Sequence, residues 1–506
     1  MIDYMLPAQV KKHPLIPILL LFTITRIINL TLLPIFNDEA SYLDWGWRAI
    51  HLGVPWHSLY DAKQPLYIWI YGLAETIIPD PLIAGRLISV FTGLAALLGV
   101  YYVSLLVFNR RAAHFSALSY LMSPLFFFYD RQALFESAVT AMGIWSIYFL
   151  LRLIAASHFK YTVALGALFA FGFWIKTSAL LFIVPITIYY LLATINSPRK
   201  AWRLTLAIYL LITTLILLFP LLFQSKFWIS FLSTNSQYSL SVSEMLRFPL
   251  FKWGQNLIAN LDIAFFQLSP TIFILALLGV LLSLISRSRH YSLLLLLLLS
   301  PLLLEILSVR TVSPRYLSPF LILIPVYSGL ALSRFPVLSV GLLLPAVMIF
   351  FQMTNPPAYF KSLARFTRNS AIEVYICCSF TGYPTREALE YVKTLPPPNQ
   401  QVFVGSFLNP GNPPSALFAY FRRDPLIKTG YLDSQLFPPI PDQAECLSSD
   451  IPVYYLGQNH YQAGFNRFLT PVKDFVNPYG SEESVTLYTL KTGCPPETTL
   501  PLNLAR

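Results

Sequence analysis

Long apolar runs separated by short polar segments fill the chain up to residue 353. Runs of roughly 17–22 apolar residues are long enough to cross the hydrocarbon core of a bilayer as helices. The predicted spans lie near 15–34, 86–108, 112–128, 136–154, 161–175, 178–194, 204–223, 265–285, 291–308, 316–333 and 337–353. We therefore expect about eleven transmembrane helices, with the short runs 161–175 and 178–194 forming either two helices or one broken helix.

The positive charges between these runs predict the direction in which the chain crosses the membrane. Lysine and arginine are enriched in loops that stay on the cytoplasmic side. Alternate connections carry Lys11, Lys12, Arg110, Arg111, Arg152, Lys160, Arg199, Lys200, Arg203, Arg287, Arg289 and Arg334. The pattern places the N-terminus inside and the C-terminus outside. The first apolar run is predicted to be a retained span, because no small-residue cleavage site follows it.

Three large segments are predicted on the outer side. The loop 35–85 is rich in Trp, Tyr and Pro, the second loop is 224–262, and the third segment is the tail 354–506. Strands are predicted near 400–407, 451–457 and 484–490, with helices near 384–395 and 415–424. The chain is therefore expected to have a transmembrane domain over 1–353 and a small extracytoplasmic α/β domain over 354–506.

The composition of the chain supports the prediction of a multi-pass membrane protein. The chain has 506 residues, 56% of them apolar and 12% charged, and its mean hydropathy is +0.59. A soluble protein would carry about a quarter charged residues. The formal net charge of +11 does not indicate a nucleic-acid partner, because the basic residues form short clusters between apolar runs. We expect a multi-pass protein of the plasma (inner) membrane.

Two adjacent acids follow the first predicted span in the stretch "LPIFNDEASYLDWGW". Asp38 and Glu39 fit two roles: they could cap a helix start, where acids are favoured, or act chemically at the membrane surface. Tyr42, Trp45 and Ala49 follow on one helical stripe. This stripe predicts a helix lying flat in the interface, which would hold the carboxylates at the lipid–water boundary.

Other ionisable side chains lie at the predicted outer ends of spans, where such residues often mark binding sites. They are Lys63, Asp130, Arg131, Glu136, Lys176, Arg310, Arg315 and Tyr316. Lys176 interrupts an apolar run, where a lysine costs about 2.5–3.5 kcal/mol, so it needs an anionic partner or a route to water. The alternative roles are snorkelling for Lys63 and Lys176, an ion pair between Arg131 and Glu136, and contact with lipid headgroups for Arg315.

Carboxylates and cations on one outer surface suit transfer from a phosphate leaving group that is attached to lipid. A base would deprotonate an acceptor hydroxyl, and the cations would stabilise the departing phosphate. The residue types alone do not identify the transferred group as a sugar.

The four cysteines all lie in the tail, at Cys377, Cys378, Cys446 and Cys494. An outward domain in an oxidising compartment would use them as disulfides. Because Cys377 and Cys378 are adjacent, the simpler expectation pairs them with Cys446 and Cys494; unpaired core thiols are the alternative. Their spacing does not resemble a zinc site.

Several segments together resemble the GT-C membrane glycosyltransferases. They are "NDEASY", "KQPLYIW", "GRLISVFTGLAALLGVYYV", "DRQALFESAVTAMGIWSIYFLLR", "WIKTSALLFIVP" and "PRYLSPFLILIP", in family order. The group they resemble is glycosyltransferase family 39 and its bacterial relatives, which include protein O-mannosyltransferases and the lipid A aminoarabinose transferase. The likeness is good over 15–200. Gln64 departs from the family's Lys-Pro-Pro segment.

The resemblance implies a GT-C fold and an inverting transfer of a sugar from a polyprenyl phosphate. It implies that Asp38 is the catalytic carboxylate, which acts as the base or orients the acceptor, that Glu39 supports it and that Glu136 forms a second acidic site. The residues expected at the donor phosphate are Lys176, Lys63, Arg131, Arg315 and Tyr316. The acceptor could be a protein, a lipid or a glycan, on the outer face of the bilayer.

We expect that no cofactor is required. A divalent cation bound by both Asp38 and Glu136 is the alternative.

Two other classes of function compete with the glycosyltransferase. A transporter or flippase of a lipid-linked glycan would need polar residues near the bilayer midplane and an internal repeat. A non-catalytic membrane scaffold predicts that nothing depends on Asp38.

Overall fold

The computed structural model describes residues 15–195, 197–286, 289–378, 380–434, 451–458, 469–480 and 484–490. Most of these residues are helical, and the strands lie between residues 402 and 490. The predicted class, a polytopic helical membrane protein with a small α/β part at its C-terminal end, is confirmed.

The helices up to residue 363 carry the apolar runs. They are α1 Leu15–Ile27, α2 Asn37–His51, α3 Pro65–Ile77, α4 Pro81–Val107, α5 Arg110–Leu121, α6 Pro124–Tyr129, α7 Glu136–Ala156, α8 Phe159–Ile175, α9 Leu180–Ile195, α10 Lys200–Leu222, α11 Ser225–Tyr238, α12 Val242–Met245, α13 Leu250–Leu268, α14 Pro270–Ser286, α15 Arg289–Ser308, α16 Pro314–Leu317, α17 Ile324–Arg334, α18 Leu343–Thr354 and α19 Pro356–Leu363. Short 3₁₀ segments at His57–Asp61, Thr177–Ala179, Ser318–Leu321 and Pro336–Leu342 join some of them.

Six helices within the described ranges are long and apolar enough to cross a membrane, or eight if each of two bent pairs counts as one span. Leu15–Ile27 and Phe159–Ile175 are shorter apolar helices. The predicted run 112–128 forms two helices, because Ser123 and Pro124 end one and begin the next. The count of about eleven spans and their direction stay predictions.

Helices α2 and α3 follow α1 in the chain and precede α4. Tyr42, Trp45 and Ala49, the stripe predicted to face lipid headgroups, are all buried in protein. Tyr42 stacks on Phe135 with ring centroids 4.3 Å apart. The aromatic stripe therefore anchors α2 to the helical body instead of presenting it to lipid.

The C-terminal part is described over residues 364–378, 380–434, 451–458, 469–480 and 484–490, and within these ranges it contains a five-stranded mixed sheet, a π-helical turn at Glu373–Cys377 and two α-helices. The strands are β1 Val402–Leu408, β2 Ile427–Ser434, β3 Val453–Gln458, β4 Leu469–Val476 and β5 Ser484–Leu490, and the helices are α20 Tyr383–Val392 and α21 Pro414–Phe421. The strand order is β2-β1-β3-β5-β4. Strand β1 pairs in parallel with β2 and β3, whereas β5 pairs antiparallel with β3 and β4. The predicted strands become β1, β3 and β5, while β2 and β4 were not predicted.

The C-terminal part rests on α2 and α3 through charged side chains. Arg422, which follows α21, contacts Asp44 at 3.6 Å and Glu75 at 3.3 Å. Arg48 donates to Asp44 at 2.9 Å and to the Tyr431 hydroxyl at 2.9 Å. These contacts fasten the sheet to the segment that also carries Asp38.

The predicted cysteine pairing is corrected. Cys377 and Cys378 are bonded to each other, not to distant partners. Their Cα atoms are 3.8 Å apart as chain neighbours, so the two sulfurs are within reach without closing a long loop. Cys446 and Cys494 lie outside the described residues.

Candidate active site

Four charged side chains from four different helical segments meet in one cluster. The Arg315 guanidinium donates to Asp38 Oδ2 at 2.5 Å and to Glu136 Oε1 at 3.0 Å. Lys176 Nζ donates to the same Glu136 oxygen at 2.7 Å. Arg315 therefore joins two carboxylates that are 98 positions apart in the chain.

Local structure explains why each side chain reaches this point. Asp38 lies in the first turn of α2, and Glu136 is the first residue of α7. Carboxylates are favoured at both positions, because the N-terminal end of a helix carries partial positive charge. Lys176 follows the last residue of α8 with an extended backbone (φ −162°, ψ 135°), so the break turns its side chain away from the α8 axis.

The cluster is partly open at Asp38 and closed at Glu136. The Asp38 side chain is 29% exposed and that of Glu136 is 0% exposed. Glu136 Oε2 is buried and has no hydrogen-bond partner among the described residues. A buried carboxylate oxygen with no partner is unusual, so a further polar group is expected to complete the site when it is occupied.

The charge of Asp38 is stabilised by its surroundings. Desolvation would raise the pKa of the Asp38 carboxyl, but the nearby charges of Arg315 and Lys63 and the hydrogen bonds from Arg315 and Tyr42 lower it below its ordinary value. Asp38 is thus ionised at neutral pH. While Arg315 holds it, it is a weak base.

Two tyrosines complete the cluster. The Tyr42 hydroxyl accepts from Arg315 at 3.2 Å and donates to Asp38 Oδ2 at 3.3 Å. Lys176 Nζ lies 4.8 Å from the centroid of the Tyr316 ring, a cation–π distance. Tyr316 was a predicted site residue, whereas Tyr42 was predicted only as part of an apolar stripe.

Glu39 points elsewhere, into the helical body. Arg86 donates to its two oxygens at 2.9 and 2.7 Å, and the backbone N–H groups of Phe36 and Ala133 donate to it at 2.9 and 2.6 Å. Both Glu39 and Arg86 are 0% exposed. Neighbouring residues on a helix point about 100° apart, which explains how adjacent acids reach separate surroundings.

Of the two remaining predicted residues, Lys63 lies near the cluster and Arg131 lies in the helical body. Lys63 contributes charge at Asp38, is 25% exposed and lies 3.7 Å from Asp61. Arg131 donates to the backbone carbonyls of Thr25, Ile28 and Asn29. It therefore closes the C-terminal end of α1, and the Arg131–Glu136 ion pair considered from the sequence is not formed.

Arg86, the buried partner of Glu39, was not predicted from the sequence. Besides Glu39, its guanidinium binds the carbonyl oxygens of Leu30, Leu33 and Pro34 at 2.7–3.1 Å. It shapes the turn before α2 on the inner side. An arginine at the start of a predicted apolar span was the available signal, since such residues are rarely buried without an acidic partner.

No group of three or more His, Cys, Asp or Glu side chains that could hold a metal ion is found in the ranges that the structure describes. The space between Asp38 and Glu136, where a shared divalent cation was considered, contains the Arg315 guanidinium.

Comparison with known proteins agrees with this architecture. Residues 62–223 match the family model described as dolichyl-phosphate-mannose-protein mannosyltransferase. Among curated proteins, none matches the chain by sequence.

Two solved structures share the fold over nearly the whole chain. ArnT from Cupriavidus metallidurans in the apo state has a TM-score of 0.60 and 14% identity, covering 95% of this chain and 99% of ArnT. ArnT bound to undecaprenyl phosphate has a TM-score of 0.58 and 14% identity, covering 94% and 97%. This chain is an integral membrane protein with the GT-C glycosyltransferase fold, similar to the dolichyl-phosphate-mannose-protein mannosyltransferases.

Proposed function

We propose that the protein is an inverting glycosyltransferase that moves a sugar from a polyprenyl-phosphate donor to an acceptor hydroxyl, with Asp38 as the base. The observation that carries this proposal is the bridge of Arg315 between Asp38 and Glu136, with Lys176 on the same Glu136 oxygen. Through Glu136, the arrangement holds the proposed base Asp38, the Arg315 guanidinium and the Lys176 ammonium group in one cluster.

The charges of the cluster favour an anionic lipid donor. Asp38 and Glu136 balance Arg315 and Lys176, and Lys63 adds a third cation that acts on Asp38. A phosphate can take the exposed sides of these cations through charge-assisted hydrogen bonds. The structure of ArnT with undecaprenyl phosphate supports a polyprenyl carrier for a protein of this fold.

Donor binding would also activate the base. A donor phosphate competes with Asp38 for Arg315, and loss of that contact raises the pKa of the Asp38 carboxyl back towards its ordinary value. Asp38 then takes the proton of the acceptor hydroxyl as its oxygen attacks the anomeric carbon. The bond from that carbon to the phosphate oxygen breaks on the opposite face, so one base suffices and the configuration inverts.

The remaining partners follow from this role. Lys176, Arg315, Tyr316 and Lys63 would hold the phosphate, and Glu136 would hold Lys176 and Arg315 in place. We propose an active site that faces outward from the plasma (inner) membrane. The acceptor is a hydroxyl-bearing protein, lipid or glycan, and the lipid bilayer itself delivers the donor.

The test uses the full-length protein in lipid nanodiscs. Undecaprenyl-phosphate-linked pentoses and hexoses serve as donors, an envelope extract serves as acceptor, and release of undecaprenyl phosphate is measured. Asp38→Asn keeps the size of the side chain but removes the base, so we expect turnover to fall about 10²–10⁴-fold. Glu390→Gln is the control, since Glu390 belongs to an exposed ion pair with Lys393, and its turnover should equal that of wild type.

Undiminished turnover in the Asp38→Asn protein would refute the base assignment. Absence of any sugar-dependent release by the wild type across the donor set would refute the glycosyl transfer itself.

A further inference from the structure

The C-terminal part of the chain makes hydrogen bonds to the residues that lead into Asp38. The backbone N–H of Asn412 donates to Asn37 Oδ1 at 2.8 Å, and Asn412 Nδ2 donates to the Ile35 carbonyl at 3.0 Å. The Asn37 N–H donates to the Phe380 carbonyl at 3.3 Å. Every one of these bonds ends on the residues just before Asp38.

The packing around these bonds is close. A Cβ atom at Gly411 would collide with the Asn37 side chain, and one at Gly382 would collide with the Ile35 backbone. Gly411 also has φ +112°, a conformation that only glycine adopts readily. The Tyr375 ring lies 4.7 Å from the Phe36 ring, centroid to centroid. Tyr375, Gly382, Gly411 and Asn412 thus fit closely against residues 35–37.

The opposite side of the turn is fixed independently. Arg86 binds the carbonyl oxygens of Leu33 and Pro34 together with Glu39. The backbone leading into Asp38 is therefore held between a buried arginine on its inner side and Asn412 on its outer side. Only the outer contact belongs to the C-terminal part.

We propose that Asn37 and Asn412 are positioning residues: through them, the C-terminal part sets the place of the Asp38 carboxylate relative to Arg315. This inference rests on the proposed function, because it gives the C-terminal part a role in the reaction of that site. A displacement of about 1 Å at a catalytic group can lower turnover about 10²-fold. Loss of either asparagine contact is expected to act on turnover and not on donor binding.

The test compares Asn412→Ala, Asn37→Ala and Asn37→Asp in full-length protein. Asn37→Asp keeps an oxygen that accepts the Asn412 N–H, so it separates loss of the contact from change at the position. Gln401→Ala is the control, because Gln401 Nε2 also donates to a backbone carbonyl, that of Pro425, at 3.0 Å, but this bond is exposed and lies within the C-terminal part. Hydrogen exchange of the peptide 33–44 and release of undecaprenyl phosphate are both measured.

We expect both alanine variants to lower kcat about tenfold with the donor KM unchanged, following the loss of orientation. We also expect amide exchange in the peptide 33–44 to be at least about tenfold faster, because the turn opens more often. Asn37→Asp should keep slow exchange, and Gln401→Ala should match wild type in both measurements. If one alanine variant does not fold, the other decides the outcome.

Wild-type kcat and exchange in the alanine variants would overturn the inference. If Asp38→Asn is inactive and the alanine variants are fully active, the positioning role fails while the proposed function stands. If Asp38→Asn is fully active, the proposed function fails first, and the catalytic meaning of the contact fails with it.

Discussion

Asp38 and Glu39 are neighbours in the chain, yet they lie in two different kinds of ionic site. Glu39 and Arg86 are both 0% exposed, and Glu39 accepts hydrogen bonds at both oxygens from an arginine and two backbone N–H groups. Asp38 is 29% exposed, and its partner Arg315 also pairs with Glu136. Glu136 in turn pairs with Lys176. Both oxygens of Glu39 are fully hydrogen-bonded in a buried site, which suits a structural role, whereas the partly exposed Asp38 fits the role of base that we propose for it.

The largest expected difference between the two sites is in stability. Removing one partner of a buried ion pair leaves an uncompensated charge and costs about 3–5 kcal/mol, so Glu39→Gln should unfold at a much lower temperature than wild type. Asp38→Asn should change stability by less than about 1 kcal/mol, as partly exposed pairs do. Thermal unfolding in detergent measures both, and equal destabilisation would remove the distinction between the sites.

The next effect concerns the shared arginine. Arg315→Lys keeps the charge but loses the planar donors that reach Asp38 and Glu136 together. We expect kcat to fall roughly 100-fold, comparable to removing a preorganised donor. Arg310→Lys is the control, because Arg310 pairs with Glu244 on the surface and should keep nearly wild-type turnover. A small effect at Arg315 would mean that the bridge does not position the two carboxylates for the reaction.

A smaller effect is expected at Lys176. Lys176→Met removes one cation from the proposed phosphate site and leaves Arg315 on Glu136. The affinity for undecaprenyl phosphate should fall about tenfold, the loss of roughly one charge-assisted hydrogen bond. Binding of labelled undecaprenyl phosphate to nanodisc-embedded protein measures this, with the exposed Lys393→Met as the reference. Unchanged affinity would exclude Lys176 from the phosphate site.

The last effect concerns the junction with the C-terminal part. Burial raises the pKa of the Glu75 carboxyl to about 8, although Arg422 opposes the shift. A carboxyl whose pKa is higher in the folded state than in the unfolded state loses its contribution to stability as pH rises towards 8. We therefore expect the melting temperature to decrease from about pH 5 to about pH 8, the interval between the unfolded and the folded pKa of Glu75, and to level off above it. Glu75→Gln should flatten this dependence, and an unchanged slope would contradict it.

The sequence predicted those parts of the fold that depend on local pattern. The long apolar runs correctly predicted most of the apolar helices, and the short apolar segments correctly predicted strands β1, β3 and β5. Strands β2 and β4 were missed because β2 contains Gly430 and Asp433 and β4 contains Pro471, residues that weaken a strand signal. Their place in the sheet is decided by pairing with β1 and β5, which a local pattern does not contain.

The candidate site was predicted in its residue types but not in its partners. Asp38, Glu136, Lys176 and Arg315 were all selected, because ionisable residues at span ends are costly. Their pairing was not predicted, because Arg315 lies 277 positions from Asp38 in the chain. The separation of Glu39 from Asp38 depends on Arg86 reaching Glu39 across the turn. The position of Arg86 at the start of an apolar run indicates that it needs an acidic partner but does not identify that partner.

The hydrogen bonds from Asn412 to Ile35 and Asn37 affect where the chain can be divided to build hybrids between proteins of this fold. A chimaera made by exchanging the segment after residue 354 would separate Asn37 from Asn412 and Asp44 from Arg422. Helix α2 belongs by its contacts to both parts, so the transplantable module is the tail together with α2 and the turn before it. Exchanges that keep this module together should yield hybrids with normal turnover, while exchanges after residue 354 should yield folded hybrids with lowered turnover.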